Sequence, residues 1–390
     1  MKNTKKAILI IIMSIISFSG MAQWQLSMQE GGNIYTLVEQ DNVMFAGALD
    51  GIYKSNDGGD SWSKINNGLT STMVHAMLVN NSRLFAGTEA GVFISDDGGD
   101  NWIESNQGLT ISKINSFVLT NTGIFAGTED EGVFYSTDNG ANWVSKNTGL
   151  SNLSVKTMIS NNNRLFAGTD GAGVYYSDNL GASWTQSNNG LSSWFISHLT
   201  VKDNKLFVST AYKFCISENN GLDWDVLDTP FDHNVLCSVN YNGYLFVGTN
   251  GDGVGFTTDY GQTWTVWNDG LPNNNIYSIN IFNNKVWAAC CCGFGLFKRS
   301  PSELTSLEQI NNNNKVSVFP NPANNVLNIE HDIKIDEIRI VNMFGSVIKI
   351  YNIEDSSSNK LNIQGLKEGV YFLEMQTKKG ILIKKIIVQY

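Results

Sequence analysis

The sequence predicts an all-β chain: a seven-bladed β-propeller with an N-terminal strand closing the last blade, plus a small C-terminal β-sandwich. Three observations predict it. Tryptophans recur at Trp62, Trp102, Trp143, Trp184, Trp224 and Trp264, spaced by 40 or 41 residues. Each period holds four short segments with strand patterning, the strand count of a propeller blade. Finally, the residues from Trp24 onward repeat the pattern found after each of these tryptophans, so the two ends of the array can share one sheet.

In order along the chain, residues 1–22 read as a signal peptide. Lys2, Lys5 and Lys6 precede an apolar run from Ala7 to Phe18, and Gly20 and Ala22 supply small residues at −3 and −1 of a cleavage site. No other stretch reaches the ~20 apolar residues of a membrane helix, so no transmembrane span is expected. The propeller is assigned to 23–298, a polar linker to 299–314 and a C-terminal domain to 315–390. The linker ends in the run Asn311 to Asn314 and contains no strand pattern.

Each periodic tryptophan closes an eight-residue motif of the form S/T-x-D-x-G-x-x-W. The six copies read SNDGGDSW, SDDGGDNW, STDNGANW, SDNLGASW, SENNGLDW and TTDYGQTW. Their first residues are Ser55, Ser95, Ser136, Ser177, Ser217 and Thr257. The acidic position is kept as Asp57, Asp97, Asp138 and Asp259, and is Asn179 and Asn219 in the other two. The glycines are Gly59, Gly99, Gly140, Gly181, Gly221 and Gly261. Such residues suit a tight hairpin: hydroxyl and carboxylate bond nearby backbone groups, and glycine takes positive φ.

A turn such as Asn67-Gly68-Leu69 comes after each tryptophan, and then an alternating strand: Ile34 to Val38, Val74 to Val79, Ile114 to Leu119, Val155 to Ile159, Ile196 to Val201, Val235 to Tyr241 and Ile276 to Phe282. A polar, Asn-rich turn leads into a second strand of the LFAGT type, and a short loop into a third strand ending at the next motif. The last unit finishes at Gly295-Leu296-Phe297-Lys298 with no motif after it. Trp24 is therefore expected to begin the outer strand of that blade, closing the ring and leaving six motifs for seven blades. Closure removes the sheet edges that a linear array exposes.

The motif resembles the Asp-box, or BNR repeat, of sialidases, sortilins, xyloglucanases and photosystem-assembly propellers. The C-terminal segment resembles the type A sorting domain of the type IX secretion system across Val316 to Tyr390. The matching features are the P-N-P entry at Pro320 to Pro322, N-x-x-G at Asn342 to Gly345, L-x-x-G-x-Y at Leu366 to Tyr371, and a Lys-rich last strand. That resemblance implies passage across the inner membrane by the signal peptide and across the outer membrane through the sorting domain. The expected location is the medium or the outer cell surface, and the expected partner is the type IX machinery.

Composition restricts the function classes. Residues 24–298 carry 12 Lys and Arg against 26 Asp and Glu, whereas 315–390 carry 10 against 8. An acidic ring repels phosphate backbones, so nucleic acid is not an expected partner. The five cysteines, Cys215, Cys237 and Cys290 to Cys292, do not make a disulfide scaffold, and no histidine or second cysteine pair stands at metal-ligand spacing. Neither a metal nor another cofactor is expected. A sialidase needs three arginines on its substrate carboxylate, and residues 24–298 contain only Arg83 and Arg164.

No catalytic residue is assigned. The candidate binding residues are those that break the repeat in loops on the face away from the motifs: Trp194, Tyr212, Phe231 and His233, suited to sugar rings or a peptide. Acidic residues gather in the loops after the LFAGT strands: Asp50, Glu89, Glu129, Asp130, Glu131, Asp170 and Asp252. The expected function is non-catalytic binding of a protein or glycan after export. The alternative is a secreted glycan-active hydrolase of the xyloglucanase-like propeller type, which needs two carboxylates at hydrolytic separation.

Overall fold

A computed structural model describes residues 23–389 except 30, 111, 212, 302–303, 305–315, 332–333, 343–346, 354–357 and 378–379. The segment expected to be a signal peptide, Tyr212, most of the expected linker and the centre of the N-x-x-G element therefore lie outside the described residues. The chain divides into two compact units, Met1–Arg299 and Ser300–Tyr390.

The first unit contains seven four-stranded antiparallel sheets, six of them contiguous in sequence. The first blade is Ile34–Gln40, Val43–Ala48, Gly51–Ser55 and Ser63–Lys64. Inner strands Val74–Asn80, Ile114–Thr120, Val155–Asn161, Ile196–Lys202 and Val235–Tyr241 open the next five. These strands run up to two residues beyond the sequence expectation, because the polar residue at the end (Asn80, Asn161) still pairs with the first residue of the next strand. Inner strands of neighbouring blades pack in series, and Ile276–Phe282 packs against Ile34–Gln40, so the ring is closed.

The seventh sheet joins the two ends. Gln25–Met28 pairs antiparallel with Gly295–Arg299, in register Gln25 to Lys298 and Leu26 to Phe297. Trp24 stands where a motif tryptophan stands elsewhere. Its Nε1 donates to the Trp267 carbonyl at 2.7 Å, as Trp143 Nε1 donates to Ser105 O at 2.9 Å and Trp184 Nε1 to Lys146 O at 2.7 Å. In each case the acceptor lies three residues after the preceding tryptophan. The backbone agrees: Trp24 N donates to Asp269 O and Trp143 N to Gln107 O, both at 2.9 Å. Three residues past Trp24, Ser27 takes the place of Ser105 and Ser187, and its hydroxyl donates to the Gly59 carbonyl of the next hairpin.

Between blades the core is a series of large rings. Phe45, Phe85, Phe125, Phe166, Phe207 and Phe246 occupy one position of the second strand, and Trp287 fills it in the seventh blade; all are at most 1% exposed. Each such burial stabilises by about 1.5–3 kcal/mol. The hairpin glycine of the following blade is set by this packing. Gly140 has φ +88, and a Cβ there would lie 2.6 Å from the Phe85 ring, so conformation and space both exclude a side chain.

The second unit contains a three-stranded sheet (Val316–Phe319, Val326–His331, Ser358–Asn362) and a four-stranded sheet (Val347–Asn352, Ile335–Asn342, Gly369–Thr377, Gly380–Val388). Leu327, Ile329, Ile338, Ile340, Leu373 and Met375 are buried in one core. The seven antiparallel strands make the small C-terminal β-sandwich expected from the sequence.

Candidate functional site

The hairpin motifs are structural in geometry. In the third blade Gly140 N donates to Ser136 Oγ at 2.8 Å, Ser136 Oγ to Asp138 Oδ1 at 2.8 Å, and Asn142 N to Asp138 Oδ1 at 2.8 Å. Hydrogen bonds from the Asn142 side chain and backbone, with that of Ser136, hold the Asp138 carboxyl below the usual carboxylate range. Where asparagine replaces aspartate, its amide oxygen accepts the same bonds: Asn179 Oδ1 takes Ser177 Oγ at 2.8 Å and Ser183 N at 2.9 Å. A neutral amide oxygen accepts the same bonds, so the hairpin forms without a charge at this position.

The opposite face carries the blade-to-blade turns and the loops between second and third strands. Each inner strand begins with a buried Ile or Val (Ile34, Val74, Ile114, Val155, Ile196, Val235, Ile276), which anchors it in its blade. The next residue varies: Tyr35, His75, Asn115, Lys156, Ser197, Leu236, Tyr277. Side chains at this position meet across blades. Tyr35 stacks on Tyr277 with centroids 6.2 Å apart and meets His75 at 5.0 Å, and Asn115 Nδ2 reaches Val155 O at 3.0 Å. They form a belt around the mouth of the ring.

Carboxylates of the adjacent loops lock onto this belt. His75 Nε2 lies 2.6 Å from Glu89 Oε1. Burial lowers the His75 pKa, and the Glu89 contact opposes that only in part. Lys156 Nζ lies 2.5 Å from Glu129 Oε1 and 3.2 Å from Asp170 Oδ2. Burial pushes the Glu129 carboxyl up, but hydrogen bonds from Lys156 and Asn115 outweigh it and hold the pKa below the ordinary value. Burial likewise works against the Lys156 ammonium, and the two carboxylates outweigh it, raising its pKa.

The repeat-breaking residues of this face differ in how they are held. Trp194 is 54% and Phe195 55% exposed. The Trp194 carbonyl accepts the amides of Gly171 (3.1 Å) and Gly173 (2.8 Å), and Phe195 bridges to Asp170, which fixes the aromatic turn beside the Lys156 cluster. Phe231 is half-buried and packs edge-on against Trp264 at 5.3 Å, so its ring serves the sixth blade. His233 is exposed; its backbone N donates to Asp252 Oδ2 at 2.8 Å and its Nδ1 lies 3.2 Å from the same oxygen. Trp194 is thus joined to the fourth blade's loop, and Phe231 and His233 to elements of the sixth. The belt residues Tyr35, His75, Lys156 and Tyr277 were not singled out from the sequence. Their signal is a variable residue directly after an Ile or Val at seven equivalent positions.

The cysteines are unpaired thiols, and among the described residues no cluster of His, Cys, Asp and Glu could hold a metal ion. Burial pushes the Cys237 and Cys290 thiols up to about 12, away from the range of reactive cysteines. No helix among the described residues is long and apolar enough to cross a membrane.

Comparison with known proteins fits this anatomy. Residues 317–389 match the family described as the secretion system C-terminal sorting domain, and residues 144–289 match the DUF6242 β-propeller domain. No curated protein matches the chain. Among solved structures it resembles the extracellular domain of the hybrid two-component system BT3049 from B. thetaiotaomicron, with TM-score 0.64 at 14% identity, covering 94% of this chain and 57% of that one. It resembles YCF48 bound to D1 peptide, with TM-score 0.58 at 15% identity, covering 71% of this chain and 95% of that one. It also resembles the Niastella koreensis GH74 enzyme, with TM-score 0.52 at 17% identity, covering 72% and 43%. The chain spans 57% and 52% of the first two extracellular-domain structures it matches. At such identities the likeness is one of fold. The protein is an exported β-propeller, whose C-terminal sorting domain directs it to the cell surface or the medium.

Proposed function

We propose that the ring is a non-catalytic interaction module that binds a protein or glycan through the face carrying Trp194, and that the six hairpins are structural Asp-boxes. One observation carries the reading. Trp194 and Phe195 are more than half exposed on a turn pinned by backbone hydrogen bonds, beside a clamped ion cluster. Large apolar rings held rigidly in solvent, rimmed by polar groups, mark an interaction site. His233 extends the proposed surface, whereas Phe231 supports it from within; Tyr212 is kept as a candidate from the sequence alone. The fold accommodates such use: YCF48, a propeller of similar fold, has been solved bound to a peptide.

The same cluster argues against hydrolysis. Glu129 and Asp170 share the Lys156 ammonium, at 2.5 and 3.2 Å, so they are close enough to be weighed as the carboxylate pair of a retaining glycosidase, which needs a separation of ~5–5.5 Å. That chemistry requires one of the two to be protonated. Here a cation sits between them and Glu129 is held ionised, the reverse of a general acid. The test is to probe glycan and peptide arrays with the full chain and with Trp194→Ala. The proposal expects a ligand retained by the wild type and weakened about tenfold or more by the variant. Equal retention by both, or turnover of a retained glycan, overturns it.

A further inference from the structure

A second site lies on the hairpin face, at the seam between the third and fourth blades. The seams after the second, fourth and fifth blades are latched. Arg83 pairs with Asp96 and donates Nη1 to the Asn139 carbonyl of the next hairpin at 2.8 Å, while Asn80 Nδ2 reaches Asn139 Oδ1 at 2.8 Å. Arg164 and Asn161 do the same to Asn220, at 2.9 and 3.2 Å. Lys205 fills the equivalent seam by lying over the Tyr260 ring at 4.1 Å.

At the seam after the third blade all three latch positions differ. Thr120 replaces the asparagine and turns its hydroxyl onto its own turn, at 2.9 Å from Gly123 O. Gly123 replaces the arginine, with φ +155 and the place of a Cβ only 2.2 Å from Ser136 O, so this backbone rejects any side chain. Leu180 replaces the receiving asparagine and keeps its left-handed φ of +53. Aliphatic residues rarely take that conformation, and Leu180 does so while 37% exposed. The result is an open cavity of about 580 Å³, within the range of small-ligand sites.

Its lining sets the ligand class. Leu119, 40% exposed, and Leu180 form an apolar wall. Thr122, Asn121 and Ser160 add neutral donors and acceptors to the lining. The one charged lining residue, Asp178, is held by the Arg164 fork at 2.7 and 2.9 Å. Its charge is thereby compensated, and lone pairs on both oxygens remain to accept hydroxyls. A lining that combines apolar side chains, neutral hydrogen-bonding groups and an oriented carboxylate suits a sugar ring, which offers both C–H faces and hydroxyls. We propose that this cavity binds a neutral saccharide residue, independently of the Trp194 face.

The test uses the full chain on an array of neutral and acidic oligosaccharides, with hits titrated calorimetrically against three variants. Leu180→Asn restores the residue that Asn139 and Asn220 show to be at home at this φ, so it folds with an unchanged melting point. Ser160→Trp fills the cavity from an exposed strand position. The proposal expects retention of a neutral glycan, a loss of about tenfold or more in both variants, and no more than about twofold change in Trp194→Ala. Retention of acidic glycans only, of none, or wild-type affinity in either Leu180→Asn or Ser160→Trp overturns it. Loss in Trp194→Ala alone assigns the glycan to the other face and overturns it too.

Discussion

Replacing Trp24 by alanine tests whether the ring is closed by its own N-terminal strand. The side chain is 4% exposed, meets Trp267 with centroids 5.1 Å apart, and donates to the Trp267 carbonyl at 2.7 Å. Truncating a buried tryptophan costs about 3–5 kcal/mol, and the abandoned carbonyl adds about 1 kcal/mol. For a domain of this size that corresponds to a fall of roughly 10 °C in melting point. The assay is thermal unfolding of the full chain by near-ultraviolet circular dichroism. Trp143→Ala is the comparison, because Trp143 makes the equivalent hydrogen bond inside an uninterrupted blade. Comparable losses are expected. If Trp143→Ala falls by the full amount and Trp24→Ala by less than about 1 kcal/mol, the ends do not seal the ring in solution.

Other consequences concern charge and export. In the Asp-containing hairpins the carboxyls are depressed, Asp97 to about 2 through bonds from Asn101 and Ser95. Their stabilisation is complete above the unfolded value of about 3.9 and is lost as pH falls through the folded values. Amide resonances of Asn101 and Asn142 should therefore shift on acidification from about pH 4 to 2, while Ser183, bonded to Asn179, stays in place; uniform behaviour in all six hairpins contradicts this. Lys156→Met removes the main group holding Glu129 ionised, so burial then dominates and the carboxyl titrates at higher pH, followed by carbon-detected NMR. An unmoved titration means the ion cluster does not form. Deleting residues 317–389 should abolish appearance of the propeller at the surface or in the medium, read by fractionation; unchanged export contradicts the role of that domain.

Much of the fold was legible because the repeat is enforced by contacts that tolerate little. A hairpin glycine at φ +88 against a phenylalanine, and a tryptophan whose indole must reach a carbonyl one blade earlier, leave few alternatives at those positions. Trp24 was recognisable for the same reason. The interaction face was less legible. Tyr35, His75, Lys156 and Tyr277 read along one strand as ordinary outward residues, and only closure of the ring brings them to a single mouth. Phe231 broke the repeat as visibly as Trp194, yet its ring packs on Trp264; a loop irregularity alone does not say whether an aromatic points in or out. The cavity at Leu180 required comparing seams, since Gly123 and Leu180 are 57 residues apart and each alone resembles drift.

The most direct test of the proposed interaction face is amide hydrogen exchange on the full chain, with and without the ligand that Trp194 retains. The amides of Gly171 and Gly173 donate to the Trp194 carbonyl, so they report on that turn directly. The account predicts slowed exchange at Gly171, Gly173 and Phe195, with the hairpin glycines Gly99 and Gly140 unchanged. Protection confined to the hairpin side, or to residues 317–389, contradicts it.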